Sequence, residues 1–257
     1  MNVVVCGSAE QAADFAAQEV CRQVAACGRS TVGWATGGTM ERLYQALAMR
    51  QRHSPLSWAE VRSFNLDEYL GLPLDHPRSY GYFLRQQVFA RLGIQAAHAR
   101  LLRGDVPDLG QESQDHENAI AAAGGIDFQL LGIGHNGHIG FNEPGASHAS
   151  RTRVIGLSAS TLAANQRFFG PGEVAPRQAI TMGIQTILES RRIVLLALGE
   201  DKAPAVAAMV EGPLDVQCPA SALQTHPATT VVLDPPAARR LVHGQAYRSE
   251  PSQAGRP

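Results

Sequence analysis

Three short segments carry the residues best suited to chemistry, and each follows a predicted strand. The first is the run Thr36-Gly37-Gly38-Thr39. Two adjacent glycines allow a tight backbone turn, and a predicted helix from Met40 adds partial positive charge at its N-terminus. Backbone N–H groups and hydroxyls gathered in this way bind phosphate. Because the run lacks a P-loop lysine and dinucleotide-type glycine spacing, it predicts an anion site rather than a nucleotide site. A plain strand–helix turn is the structural alternative.

The second segment contains two adjacent acids, Asp67 and Glu68, directly after another predicted strand. Carboxylates in this position can transfer protons or bind a metal. Either acid could equally cap a helix or face solvent. The residues alone therefore indicate a candidate acid–base site without deciding its role.

The third segment is the richest and spans residues 132–145, with the sequence GIGHNGHIGFNEPG. His138 and Glu143 form a candidate acid–base pair, because a carboxylate can orient an imidazole and stabilise its charged form. His135 and His138 could bind a metal, but their spacing does not fall on a predicted helix and no third ligand is implied. We therefore expect no metal here. A purely structural glycine-rich turn is the alternative.

Two cations complete the set of candidate residues. Arg167 lies near the end of a predicted helix, ahead of a Gly-Pro-Gly run, and Lys202 is the only lysine in the chain. Lys202 stands at the start of a predicted helix, where a cation opposes the helix dipole unless an anion shares the site. Either side chain could instead be an ordinary surface charge.

The elements that position these segments alternate along the chain. Apolar runs predict strands at residues 3–6, 31–35, 61–66, 128–133, 153–157, 193–198 and 230–233. Helical periodicity predicts helices at residues 9–26, 40–50, 80–92, 113–123, 161–169, 179–188 and 203–210. This alternation predicts one α/β domain over residues 1–244 with a mostly parallel sheet, whose ligands bind beyond the carboxyl ends of the strands. The polar residues 245–257 are predicted to be a disordered tail.

Composition excludes several classes of protein. The chain has 22 Lys+Arg against 23 Asp+Glu and a formal charge of -1, which argues against a partner such as nucleic acid or an acidic membrane. No apolar stretch approaches the ~20 residues of a membrane helix. Four cysteines without a CxxC pair indicate neither a disulfide framework nor a zinc site. The N-terminal residues lack the pattern of a signal peptide, so we expect a cytoplasmic protein.

Taken together, the segments resemble the glucosamine-6-phosphate deaminase family. The likeness rests on GWATGGT (residues 33–39), FNLDEYLGLP (64–73) and LGIGHNGHIGFNEPG (131–145), and it continues in order over nearly the whole chain except the C-terminal tail. GHIGFNEPG is the specific part of this signature. The resemblance implies a Rossmann-like three-layer α/β fold with a mostly parallel central sheet. It also implies conversion of glucosamine 6-phosphate and water to fructose 6-phosphate and ammonia, without metal or organic cofactor.

The resemblance also implies a role for each matching residue. Asp67 would be the base that moves a proton from C2 to C1 through an enol-type intermediate. His138 would assist opening of the pyranose ring, with Asn136 and Glu143 supporting it. Residues of about 162–176 would form a mobile lid. The residues expected to bind the substrate are Thr36, Gly37, Gly38, Thr39, Gly137, Arg167 and Lys202.

Two departures from the family pattern have consequences. Some members carry Asp at the place of Asn136. The Asn136 side chain can still orient His138, but unlike Asp it adds no negative charge to stabilise the imidazolium. Allosteric members carry a serine and a lysine where this chain has Ala146 and Ile155, although Arg153 is kept. A phosphate site without those two donors should bind an effector poorly, so we expect hyperbolic kinetics.

Other readings of the sequence are kept open. A 6-phosphogluconolactonase would share the fold and the phosphate loop, but the continuation FNEP after the histidine favours a deaminase. A non-catalytic sugar-phosphate sensor would need a DNA-binding module, which the chain does not suggest. The family contains monomers and hexamers, so a homo-oligomer is open, as is the preferred hexosamine epimer. The expected partner is a small amino-sugar phosphate.

Overall fold

The computed structural model describes residues 1–166, 169–170, 172–243 and 247 of the chain. The first half contains β1 (Asn2–Val5), α1 (Ala9–Ala26), β2 (Thr31–Trp34), α2 (Gly38–His53), β3 (Arg62–Asn65), β4 (Asp67–Tyr69), α3 (Tyr80–Leu84), α4 (Ala90–Leu92), β5 (Ala99–Arg100), α5 (Leu109–Ala122) and β6 (Phe128–Leu131). The second half contains β7 (Arg153–Gly156), α6 (Ala159–Gln166), β8 (Gln178–Thr181), α7 (Ile184–Leu188), β9 (Ile193–Ala197), α8 (Ala203–Glu211), β10 (Thr229–Leu233) and α9 (Pro235–Ala238).

The strands form two sheets within the described part of the chain. The central sheet has seven strands in the order β1-β10-β9-β6-β2-β3-β5, and every pair in it is parallel. A smaller antiparallel sheet has the order β4-β8-β7. The central sheet lies between helical layers, which gives a three-layer α/β fold and confirms the predicted architecture.

Burial of the central strands explains why their sequences are so apolar. Every residue of β6 and β9 is buried, as expected for strands that are covered on both faces by helices. The helices contribute an apolar face to the same core. On α1, Ser8 caps the first turn by accepting a hydrogen bond from the Gln11 N–H at 3.2 Å. The buried apolar residues of this helix are Ala12, Ala13, Ala16, Ala17, Val20 and Val24.

The strand order places a topological switch at the centre of the sheet. From β2 the chain continues outward to β3 and β5, whereas β6 returns to the other side of β2 and leads on to β9. The loops that follow β2 and β6 therefore diverge and leave a crevice between them. That crevice is where a ligand is expected in an open α/β sheet.

Three predictions about the elements need correction. Residues 179–188 were expected to be one helix, but Gln178–Thr181 is strand β8, and only Ile184–Leu188 is helical. The strand forms because it pairs on both sides, with β4 and with β7, and such pairing overrides a local preference. Strand β4 was expected to be a loop. The predicted helix 80–92 is interrupted by a π-helical turn at Arg85–Phe89.

Two predictions fall largely outside the described residues. Apart from Tyr247, the tail at 245–257 lies outside the described residues, so its disorder stays a prediction. The end of the predicted helix 161–169 includes residues 167 and 168, which are also outside; α6 is described as Ala159–Gln166. None of the helices in the described ranges has both the length and the apolar composition that a bilayer crossing requires.

Candidate active site

The loops that follow four adjacent strands meet in one cleft. In the order of the sheet, these loops follow β9, β6, β2 and β3, and the cleft between them has a volume of about 350 Å³. This volume suits a small polar metabolite. The polar and titratable lining residues are Thr36, Thr39, Asp67, Tyr80, His135, Asn136, His138, Thr161, Asn165 and Lys202. Chain topology alone thus brings together the three segments that the sequence singled out.

The loop after β2 has the geometry of an anion site. Gly37 has φ 105° and ψ 167°, a conformation that only glycine adopts readily, and it leads directly into α2 at Gly38. Among the described residues no side chain caps this helix. The amide N–H groups of its first turn and the positive end of its dipole are therefore available to a ligand.

Lys202 reaches the same cleft from the other side of β6. It follows β9, ends a 3₁₀ turn at Glu200–Lys202 and immediately precedes α8. Its side chain is only 15% exposed, and its Nζ lies 3.8 Å from Oδ2 of Asp201. A largely buried ammonium in a cleft that also holds a helix N-terminus indicates a site for a phosphate or another anion.

Asp67 is buried at the base of the cleft. Asn65 holds its backbone, because the Asn65 Nδ2 donates to the Asp67 carbonyl oxygen at 2.8 Å. Within the described structure, Oδ1 of the Asp67 carboxylate is buried and has no hydrogen-bond partner. Burial, and secondarily the charge of Glu68, raise the pKa of Asp67 well above its ordinary value. A carboxylate of raised pKa is a stronger base, and its unsatisfied oxygen is free to accept a proton from a substrate.

Glu68 points to the face of β4 opposite to that of Asp67, and its carboxylate makes structural hydrogen bonds. Its carboxylate accepts hydrogen bonds from the N–H groups of Tyr69, Tyr80 and Gly81 and from the Ser79 hydroxyl, at 2.7–3.0 Å. These bonds anchor the start of α3 to the strand. Burial nevertheless raises the pKa of Glu68. Glu68 thus holds Tyr80 beside the cleft, and of the two adjacent acids only Asp67 lines it.

A hydrogen-bond relay fixes the orientation of His138. The Asn136 Nδ2 donates to Oε2 of Glu143 at 2.8 Å, and because a carboxylate only accepts, this bond decides which way the amide points. The Asn136 Oδ1 then faces Nδ1 of His138 at 2.7 Å, so this ring nitrogen carries a proton. The Nε2 of a neutral His138 is therefore the acceptor that remains for a substrate. The relay gives the imidazole the tautomer of a general base.

Close packing sets the position of the His138 ring. A Cβ atom at Gly134 would lie 2.2–2.4 Å from three atoms of the imidazole. The Gly134 N–H also donates to the His138 carbonyl oxygen at 2.9 Å. The glycine before the two histidines of the signature is thus required by the approach of the ring to the backbone.

Glu143 is held by donors from two parts of the chain. Besides Asn136, the hydroxyls of Thr161 and Ser158 donate to Oε1, the latter at 3.1 Å. Burial alone would raise the pKa of Glu143, but the nearby imidazole of His138 and the hydrogen bonds from Thr161 and Asn136 outweigh it and lower the pKa to about 2. The carboxylate therefore stays ionised and stabilises a positive charge on His138, whose Nδ1 is 3.7 Å from Oε2. The sequence did not single out Ser158 and Thr161, because their role depends on the fold of α6 against the signature loop.

The remaining predicted site residues have different outcomes. Gly137 has a positive φ of 83° and is absent from the described cleft lining; a Cβ there would lie 2.7 Å from Sγ of Cys218. Its predicted substrate contact stays a prediction. Arg167 lies outside the described residues. In the described ranges no group of three or more His, Cys, Asp or Glu side chains is arranged to hold a metal ion.

Comparison with known proteins agrees with this geometry. The family model described as glucosamine-6-phosphate isomerases/6-phosphogluconolactonase matches residues 7–232.

The chain belongs to this family.

A glucosamine-6-phosphate deaminase from Cellvibrio japonicus is 48% identical over 248 residues, which cover 96% of this chain and 94% of that protein. The solved structure of a monomeric glucosamine-6-phosphate deaminase superposes with a TM-score of 0.91 at 40% identity, over 93% of this chain and 100% of that one.

The other branch of the family is more distant. A 6-phosphogluconolactonase from Trypanosoma cruzi superposes with a TM-score of 0.75 at 21% identity, over 94% of this chain and 97% of that one. At this level of identity the likeness concerns the fold alone. The residues of the cleft, rather than the fold, must therefore distinguish the two activities.

Proposed function

We propose that this chain is a glucosamine-6-phosphate deaminase, an enzyme of amino-sugar catabolism that converts glucosamine 6-phosphate and water to fructose 6-phosphate and ammonia. One observation carries the proposal: a buried carboxylate oxygen of Asp67 without a partner in the described chain, in the cleft that His138 and the anion-binding loop also line. Relatives of this name, at 48% identity and 40% identity, support the same activity.

The phosphate of the substrate binds at the Thr36–Thr39 loop and Lys202. The N–H groups at the start of α2 and the Lys202 ammonium supply hydrogen bonds and positive charge for a dianion. The phosphate takes no part in the reaction, so its binding energy positions the sugar at the other end of the cleft. Arg167, which lies outside the described residues, is proposed as a further phosphate ligand.

Ring opening is assigned to His138. Its Nε2 takes the proton of the C1 hydroxyl and returns a proton to the ring oxygen as the C1–O5 bond breaks. The imidazolium formed in between is stabilised by the Asn136 bond and by the ionised Glu143. Asp67 then removes the C2 proton while the aldehyde oxygen takes a proton from the substrate's ammonium group. The enol-type intermediate receives the proton of Asp67 at C1, which leaves an iminium group at C2. Water adds at C2, and the C2–N bond breaks to release ammonia.

An ammonia-release assay across hexosamine 6-phosphates tests the proposal. We expect release from glucosamine 6-phosphate with formation of fructose 6-phosphate, and the assay also shows which C2 or C4 epimer is preferred. Hydrolysis of 6-phosphogluconolactone, measured in parallel, is the control for the other branch of the family. Lactone hydrolysis without ammonia release would overturn the proposal, and binding without any turnover would favour a sensor.

Three further properties are proposed on coarser grounds. Residues 1–244 form one domain, which agrees with a central sheet that contains both the first strand, β1, and the last strand, β10, as neighbours. A monomer is favoured over the homo-oligomer, because the neighbour of 40% identity is monomeric; sedimentation analysis tests this. A cytoplasmic location is supported by four cysteines, all of them free thiols.

A further inference from the structure

His135 stands at the edge of the cleft and takes no part in the steps above. Its Nε2 lies 2.5 Å from Oδ2 of Asp201, and the two side chains are 57% and 56% exposed. The same Asp201 oxygen is 3.8 Å from Nζ of Lys202. The His135–Asp201 pair therefore lies next to Lys202, the residue that the proposed function assigns to phosphate binding.

We propose that His135 and Asp201 form a proton-controlled charge pair that sets the affinity of the cleft for the phosphate dianion. This proposal rests on the proposed function and adds a determinant of substrate affinity to it. With the imidazole protonated, the pair has a net charge of zero. With the imidazole neutral, the pair has a net charge of one negative unit beside Lys202. This negative charge repels the phosphate. Substrate affinity is therefore higher with the imidazole protonated than with the imidazole neutral.

Asp201 is the constant member of the pair. Burial by itself raises the pKa of Asp201, but the hydrogen bond from His135 and the charge of Lys202 lower it overall. Its carboxylate is therefore ionised throughout the neutral range. The imidazole of His135 is the member of the pair that can be either charged or neutral.

The other charged groups near the pair are engaged elsewhere. Glu200, next to Asp201, forms an ion pair with Arg239. His138 and Glu143, on the same loop as His135, are held by the Asn136 relay. Among the described residues, the loop after β2 and the first turn of α2 contribute no charged side chain to the cleft lining. The remaining titratable side chains of the described cleft lining are Asp67 and Tyr80.

The effect should be moderate, because the pair is exposed to solvent. A unit charge several ångströms from a dianion, screened by nearly bulk water, changes binding by about threefold to tenfold at low ionic strength. Added salt reduces the effect as the Debye length shortens. The change should appear in KM and not in kcat, because the pair faces the non-reacting end of the sugar.

Two variants separate the two members of the pair. KM for glucosamine 6-phosphate and the inhibition constant of inorganic phosphate are measured from about pH 6 to pH 9. The ratio of variant to parent at each pH cancels the titration of the substrate's own amine and phosphate. His53→Gln, an exposed histidine on α2 outside the cleft, is the matched control and should give a ratio of one throughout.

Only the histidine variant should show a ratio of variant to parent that changes with pH. His135→Gln keeps the negative charge at every pH, so its KM is about threefold to tenfold above the parent in acid and equal to it in alkali. Asp201→Asn removes one negative charge whether His135 is protonated or neutral, so its KM is below the parent by a similar factor at both ends of the pH range. A His135→Gln ratio that does not vary with pH, an Asp201→Asn ratio of one throughout, or changes confined to kcat would overturn the proposal.

Failure of the proposed function would look different. If the parent protein releases no ammonia from any hexosamine 6-phosphate, the activity assignment fails. Calorimetric titration with inorganic phosphate then still tests the charge pair, and the same variant-to-parent ratios are expected in its dissociation constant. A ratio of His135→Gln to parent dissociation constants for phosphate that stays at one across the pH range would overturn the charge pair alone.

Discussion

Replacement of Glu143 by Gln tests whether the relay behind His138 depends on a carboxylate. In the structure, Glu143 accepts hydrogen bonds from Asn136, Ser158 and Thr161, and it is the negative charge nearest to the imidazole in the relay. A glutamine of the same size keeps the packing but removes the charge. It can also turn its amide, so it no longer decides which way Asn136 points. We therefore expect both lower stability and slower turnover.

The pKa of Glu143 gives the magnitude. It is lowered from 4.5 to about 2, and its side chain is only 15% exposed. At 1.36 kcal/mol for each pKa unit, the ionised carboxylate contributes about 3 kcal/mol to the free energy of unfolding. Because the folded-state pKa is depressed, this contribution is complete above pH 4.5 and is lost as the pH falls toward 2. About 2 kcal/mol should disappear between pH 6 and pH 3.

Urea unfolding at several pH values, together with kcat at neutral pH, measures both effects. The variant should be less stable than the parent by up to about 3 kcal/mol at pH 7, and the difference should shrink by about 2 kcal/mol at pH 3. Loss of electrostatic support for the imidazolium should lower kcat by about tenfold to a hundredfold. A variant with parental kcat and a pH-independent difference in stability would refute the relay.

Two other predictions concern groups outside the cleft. His116 is buried against the Phe64 ring, makes no hydrogen bond within the described structure, and has a pKa that burial and the nearby Arg100 charge lower from 6.5 to about 3. The unfolded state therefore binds a proton that the folded state does not, and stability falls as the pH drops below 6.5. His116→Leu should remove about 2 kcal/mol of the loss between pH 7 and pH 5, as measured by urea unfolding; an unchanged pH dependence would contradict this. Arg153 donates to the Asn142 side chain at 2.9 Å. Because Ala146 and Ile155 stand where the family resemblance places a serine and a lysine in allosteric members, we expect rate curves that are hyperbolic and unaffected by N-acetylglucosamine 6-phosphate. Sigmoidal curves that respond to that compound would show that an effector site is retained.

The sequence predicted the site well where chemistry depends on the ends of parallel strands. Apolar runs such as Phe128–Leu131 and Ile193–Ala197 indicate buried parallel strands, and their loops must meet at one edge of the sheet. For this reason the segments containing Thr36, Asp67, His138 and Lys202 converge although they are far apart in the chain.

Long-range contacts were beyond the reach of the sequence. Strand β8 was mistaken for part of a helix, because its formation depends on two antiparallel partners rather than on its own residues. Thr161 was not recognised as a partner of Glu143, since only the packing of α6 against the signature loop brings them together. His135 was considered only as a metal ligand, because nothing in the sequence shows that Asp201 lies beside it.

The central claim is that the Asp67 carboxylate removes the C2 proton of an amino-sugar phosphate. Its most direct test is turnover of glucosamine 6-phosphate that carries deuterium at C2, by the parent protein and by Asp67→Asn. We predict a primary isotope effect with the parent, and for the variant a kcat lower by at least about a hundredfold with KM kept within a few fold. Parental turnover by the variant, with the isotope effect intact, would contradict the assignment of Asp67 as the base.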